Sequence, residues 1–221
     1  IQGEAFKSDF KPIIKDPAIL KKETLEQYVI RQFIAQYGKS VSELISDHEL
    51  KATKAKHKLY LLAMAILGVK DAKAAEFEKA DIVIKTIKLE QSGSLKESMS
   101  FEQIKFQEIV DEEWEDSYWH HTVHKRFLFI VFQWQGEELI LKKALFWNMP
   151  HQDIMAAEEY WKHTKAKIQS NDYSNFYKMA DDKLFHVRPK ARDSRDLMPT
   201  PAGGMEKKKA YWINASYIKR I

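Results

Sequence analysis

The sequence predicts an α/β (α+β) fold with a mixed sheet flanked by helices, and three observations predict it. Apolar residues recur at helical spacing near the N-terminus and again over 151–170. Runs rich in β-branched and aromatic residues at 80–90 and 126–150 read as strands. The order helix–helix–strand–hairpin–helix–strand–helix interleaves the two kinds of element.

Residues 1–21 are lysine-rich, carry Pro12 and Pro17, and read as an arm or linker; residues 22–221 contain no clean linker and read as one domain. Over 24–38, Leu25, Tyr28, Val29, Phe33, Ile34 and Tyr37 fall on one helical face, with Thr24 as N-cap and Gly38 as the stop. Residues 40–50 open like a second short helix. The stretch 56–69 is apolar all round, which predicts a buried helix ending near Gly68. "ADIVIKTIKLE" (80–90) is a strand with one lysine, Lys85, at its centre. Residues 100–117 are expected to be helical in their middle. "RFLFIVFQW" (126–134) is the strongest strand, closed by Gln135–Gly136, with 138–150 as its hairpin partner. Pro150 precedes a helix over 151–170 on which Ile154, Ala157, Trp161, Thr164 and Ile168 share a face. A short strand over 183–190 runs into proline. Residues 194–209 read as a loop, most mobile at Gly203–Gly204, and 210–221 as a turn into a short helix.

Composition narrows the function classes. The 221 residues include no cysteine, which removes disulfides, thiolate metal sites and a cysteine nucleophile. Seven glycines argue against a glycine-rich nucleotide-binding fold. No run approaches the length of a membrane span and no signal-peptide pattern opens the chain, so no membrane partner is expected and the cytoplasm is the expected location. The first residue is Ile1, and a piece of a longer protein is the expectation. Charge is uneven. Residues 183–221 hold ten Lys/Arg and three Asp/Glu, net +7, against −3 for the remainder of a chain whose total is +4. A basic C-terminal stretch on a mildly acidic body suits either a polyanion partner or a solvated tail.

Several positions carry candidate chemistry. A lysine at the centre of a strand is costly unless paired or solvated. At a cleft edge such a lysine orients a water or holds a phosphate beside carboxylates that bind magnesium. The residue two before Lys85, on the same strand face, is Val83, which binds no metal. Glu76 lies upstream, and Asp81, four residues before Lys85, is expected on its side of the strand. The alternative is a surface lysine on an edge strand. In "FHVRPKARDSRD" (185–196), Arg188, Lys190, Arg192 and Arg195 crowd one strand end; Pro189 restricts Arg188. A fixed guanidinium can contact guanine O6 and N7 while its neighbours grip phosphates. The alternative is a solvated loop paired to Asp193 or Asp196. Tyr211, Trp212 and Tyr217 beside Lys219 and Arg220 suit a groove wall or a core. His120 and His124 have metal-ligand spacing but no third ligand. Lys125 and Arg126, where a strand begins, are better phosphate candidates. The acidic run 111–117 reads as a solvated face.

"DIVIKTI", "HKRFLFIVF", "HVRPKARDSRDL" and "YWINASYIKR" occur in the order found in the MutH-like endonucleases, which act at GATC. With "LKESMSFEQIKFQEIVDEEWEDS", they most resemble the C-terminal half of the Sau-three-A-one-type restriction enzymes, over residues 22–221. The resemblance implies a restriction-endonuclease-like fold with a DNA cleft between two lobes. It also implies a catalytic set of an aspartate, a Glu-x-Lys pair and a glutamate from a preceding helix. Those positions carry Glu76, Val83, Lys85 and Met64, so two carboxylates are replaced by apolar groups. No catalytic residue, metal ligand or cofactor is therefore expected in this domain, while magnesium is expected for the longer enzyme. The base-reading arginine falls on Arg188, with Pro189, Lys190, Arg192, Lys125, Trp212 and Lys219 as further DNA-binding positions. The implied partners are double-stranded DNA containing GATC, a catalytic N-terminal half of the same chain and a second copy on DNA. The implied role is that of an allosteric effector; the alternative is an active magnesium endonuclease using Glu76, Asp81 and Lys85.

Overall fold

A computed structural model describes residues 10–51, 57–70, 73–181 and 184–221. In chain order the elements are β1 (Phe10–Lys11), α1 (Leu25–Ile34), α2 (Val41–Asp47), α3 (Lys58–Ile66), β2 (Lys73–Ala74), α4 (Ala75–Lys79), β3 (Ile82–Leu89) and β4 (Met99–Gln103). There follow α5 (Phe106–Ile109), α6 (Tyr118–His124), β5 (Arg126–Gln135), β6 (Glu138–Asn148), α7 (His151–Gln169), β7 (Phe185–Pro189), β8 (Leu197–Pro199), β9 (Met205–Lys207), β10 (Lys209–Ile213) and α8 (Ala215–Ile218). Single 3-10 turns occupy Pro17–Lys21 and Met179–Asp181. The chain forms two compact units. One takes in the chain up to Ser94 together with Arg126–Asn148; the other takes Leu95–Lys125 and Met149–Ile221.

The first unit is built on the mixed sheet β3–β5–β6. β3 runs parallel to β5, from Ile82↔Arg126 to Leu89↔Gln133, and β5 runs antiparallel to β6 with a bulge at Val131/Phe132. The hairpin turns through Gly136 at φ 61, a backbone conformation that glycine adopts without Cβ strain. Leu128, Ile130 and Phe132 of β5 bury one sheet face against Val29 and Phe33 of α1, Leu44 of α2 and Leu62–Met64 of α3. Ile82 and Ile84 pack on the same cluster. By strand alternation Val83, Lys85 and Ile87 point to the other face, with Phe127 and Phe129, whose rings stack at 5.8 Å.

Local chemistry explains the helices. Thr24 and Gln27 form a reciprocal capping box, as do Ser40 and Glu43, each worth about 1 kcal/mol to a short helix. α1 ends at Ile34, before the Gly38 stop that the sequence suggests; Gly38 closes the following turn at φ 85. α3 is buried from Leu62 to Ile66, as its all-round apolar character predicts; Lys56, where that stretch was expected to begin, lies outside the described residues. The segment read as an arm is partly built in. Ile13 and Ile14 are buried, and β1 pairs in parallel with β2.

The second unit carries an antiparallel sheet, β4–β10–β7, with β10 in the centre. One face is an aromatic core. Trp119 of α6 stacks on Tyr211 at 4.4 Å and meets Phe101 and Phe185 edge-on at 5.1 and 5.4 Å. From α7, Tyr160 packs on Phe185, and Ala157, Trp161, Thr164 and Ile168 are buried, the face that the apolar spacing marks. Asp153 accepts a hydrogen bond from the Tyr217 hydroxyl at 2.5 Å, tying α8 to α7 inside the core.

Residues 100–117 are helical in their middle, over the one turn of α5, and their start belongs to strand β4. Two local expectations need correction. Residues 194–209 hold the hairpin β8–β9, closed by Thr200, whose Oγ accepts from the Gly204 N–H at 2.9 Å. Residues 209–213 form the central strand of a sheet, where the sequence suggested a turn. In each case the strand has three to five residues. That length carries too little alternation to reveal a period of two, and pairing with distant strands decides it.

Candidate functional site

Strand pairing in the second unit brings the key side chains together. β7 lies beside β10 with His186 opposite Trp212 and Arg188 opposite Ala210. These four share the face turned away from the Trp119–Tyr211 core. Ala210 ends at its Cβ, so the long Arg188 side chain crosses diagonally to Trp212, and its guanidinium carbon sits 3.8 Å from that ring's centroid. Arg188 is exposed and Trp212 half-buried. The indole of Trp212 lies near-parallel to the imidazole of His186, at 16° and 6.3 Å between centroids. His186 is buried, and its Nδ1–H donates to Asn214 Oδ1. Burial holds the His186 pKa below its ordinary value; the Asn214 hydrogen bond works the other way, and the Arg188 charge adds to the lowering.

The neighbouring cations are less uniform than the sequence suggests. Lys190 donates through Nζ to the Phe101 carbonyl, its own carbonyl accepts from Gln103 Nε2 at 3.1 Å, and burial pushes its pKa down. It pins the end of β7 to β4 as well as contributing charge. Arg192 and Arg195 have side chains 85% and 91% exposed and lie within 3.9 and 3.7 Å of Asp193. Asp196 pairs with Lys208 at 2.5 Å and accepts from the Arg192 backbone N–H at 2.8 Å; both contacts lower its pKa, the lysine foremost. The loop is thus basic, exposed and internally braced. Pro189 is exposed opposite Lys209, Lys125 follows α6 half-exposed, and Lys219 is exposed after α8. Arg126 forms an ion pair with Glu26 and lies over the Phe146 ring at 5.2 Å.

The positions expected to bear metal chemistry tell a different story. Both carboxylate oxygens of Glu76 accept backbone N–H bonds, from Ile13 at 2.9 Å and Ile14 at 3.0 Å. Asp81 does not lie on the strand. It precedes β3 as an exposed turn residue at φ 49, and its carbonyl accepts from Arg126 N–H. Met64 is buried in the core on the Ile82/Ile84 side of the sheet, whereas Val83 and Lys85 point to the other side. Magnesium needs several oxygen ligands whose charge offsets ion dehydration. Val83 and Met64 supply none and Glu76 is already committed, so these residues do not fit the ion. Among the described residues no group of three or more His, Cys, Asp or Glu is placed to hold a metal ion. His120 and His124, the pair with ligand spacing, meet at a 45° tilt with ring centroids 4.1 Å apart, and His120 is edge-on to Trp114. The acidic run 111–117 is exposed except around buried Trp114 and Ser117, and Glu112 accepts from Trp161 Nε1.

Sequence reasoning missed His186, Asn214 and Gln103. His186 and Arg188 are two apart on a strand and so share a face, which was a usable signal. Asn214 between a strand and a helix reads as a cap, and nothing local reveals that it reaches back to His186.

This fold and these residues resemble the MutH-like branch of the restriction-endonuclease-like proteins, and two comparisons carry the likeness. The family model described as "DNA mismatch repair enzyme MutH" matches residues 67–158, the span that carries β3, β5 and β6; Arg188 and Trp212 lie beyond it. The type II restriction enzyme Sau3AI of Staphylococcus aureus is 30% identical to the chain over 260 aligned positions, covering 94% of this chain and 53% of that enzyme. The chain thus spans about half the length of the curated relative it matches. No helix among the described residues is long and apolar enough to cross a membrane.

Proposed function

We propose that the chain is a GATC-reading DNA-binding domain of a type II restriction endonuclease, without cleavage chemistry of its own, that acts as an allosteric effector of a catalytic half. One observation carries the reading. An exposed arginine lies over the Trp212 ring, 3.8 Å from its centroid, at the end of a strand that leads into a basic loop, while Glu76, the remaining acid at the expected metal positions, is bonded to the backbone of Ile13 and Ile14. Arg188 contacts a guanine edge in the major groove, and Arg192, Lys190, Lys125 and Lys219 contact phosphates and set register. Double-stranded DNA is the partner in this reading, and the effector role requires that binding here raise the affinity or rate at a second GATC in the catalytic half. Magnesium belongs to that half.

Arg188→Ala tests the reading by equilibrium binding to a GATC duplex and to a scrambled one. Loss of preference by about 1–3 kcal/mol is expected, with little change on the scrambled duplex. Equal binding of both duplexes by the unaltered chain contradicts it.

A further inference from the structure

The stack beneath Arg188 contains features that stability alone does not explain. Trp212 Nε1 and His186 Nε2 are buried without a hydrogen-bond partner, a cost that an apolar pair of the same size avoids. Asn214 stands at the N-cap of α8, where asparagine ordinarily accepts from the first-turn N–H groups, yet its side chain makes no capping bond to the helix. It turns back to His186 instead. Asn214 Oδ1 thus holds one imidazole in place, and that imidazole lies beside Trp212, near-parallel to its indole.

We infer that His186 and Asn214 are positioning residues for Arg188, a claim that rests on the base-reading role proposed above. The Nδ1–H···Oδ1 bond fixes the imidazole plane, the indole packs against it at 16°, and the indole face fixes the plane of the guanidinium. A guanidinium held in plane before DNA arrives loses less rotational freedom on making a bidentate contact. Asn214 Oδ1 can only accept, so Nδ1 carries the imidazole proton and the bare Nε2 is buried. The lowered pKa of His186 agrees with that neutral form.

The test measures duplex binding of His186→Ala and Asn214→Ala, each alone and combined with Arg188→Ala. Each single change is expected to weaken the preference for GATC over scrambled duplex about tenfold, with the scrambled affinity and its salt dependence unchanged. In the Arg188→Ala background the same change is expected to add less than twofold. Additive losses, or equal losses on both duplexes, overturn the inference. His186→Phe keeps a ring without the bond to Asn214 and guards against misfolding of the smaller variants. It is expected to lose part of the preference, and full preference overturns the claim. A DNA-free readout separates this claim from the base-reading one. In the free chain the Arg188 Nε–H resonance is expected to be displaced upfield by the Trp212 ring current and to return toward its ordinary position in Asn214→Ala. If the unaltered chain prefers neither duplex but this shift is present and lost on mutation, base reading falls and the positioning stands. A shift that is absent, or unmoved by Asn214→Ala, overturns the positioning.

Discussion

β3 and β7 each present one basic residue on a sheet face, and the molecule furnishes the two differently. Around Lys85 the same-face neighbour is Val83, the strand opposite brings Phe129, and Glu76 gives both its oxygens to the backbone of Ile13 and Ile14. Around Arg188 the opposite residue is Ala210, the diagonal neighbour is Trp212, and a buried His186–Asn214 bond stands behind that ring. One cation has Val83 and Phe129 for neighbours on its sheet face; the other lies over an indole ring. Under the proposed function, duplex reading and cleavage chemistry draw on different sheets, so one can be kept while the other is lost.

The comparison breaks first at Glu76. If its carboxylate is a structural cap, Glu76→Ala loses two hydrogen bonds to a charged acceptor and lowers unfolding stability by roughly 2–4 kcal/mol in denaturant titration, leaving duplex affinity intact. Unchanged stability would return this acid to the pool of metal ligands. Next comes the indole: Trp212→Ala is expected to reduce the GATC preference by about 1–2 kcal/mol through loss of the cation–π contact, with Trp212→Phe losing less, as read by the same duplex competition.

Acid sharpens the contrast further. His186, His48 and His120 all have pKa values held below 6.5 in the folded chain, His186 by burial with Arg188 assisting. The unfolded state then binds more protons just below that value. Stability is full above about pH 6.5 and falls as pH drops through the folded-state pKa values. Melting temperatures from pH 7.5 to 5 are expected to decline, with a shallower decline in His186→Phe. The smallest effect belongs to Arg195. Its side chain is 91% exposed beside Asp193, and Arg195→Ala is expected to leave stability within a few tenths of a kcal/mol. It should weaken GATC and scrambled duplexes alike and reduce the salt slope by about one.

Much of this contrast was legible in the chain, and unevenly so. The long strand β5, its hairpin partner and the α7 face announce themselves because ten to nineteen residues of consistent period leave one solution. The arginine cluster was readable from residue identity alone, whereas Val83 and Met64 stand out only through the resemblance to the MutH-like endonucleases. What escaped depends on partners far away in sequence. β10 is a strand because β4 and β7 flank it, Glu76 is a cap because residues 13 and 14 fold back to it, and Asn214 matters through a residue 28 positions earlier. The ion pair of Arg126 with Glu26 likewise joins residues far apart in sequence.

The most direct measurement is equilibrium binding of the chain to GATC and scrambled duplexes, in EDTA and in magnesium, with the integrity of the DNA checked at the end. The account predicts the same preference for GATC in both buffers and uncut DNA. No preference, or cutting in magnesium that Lys85→Ala abolishes, would contradict it.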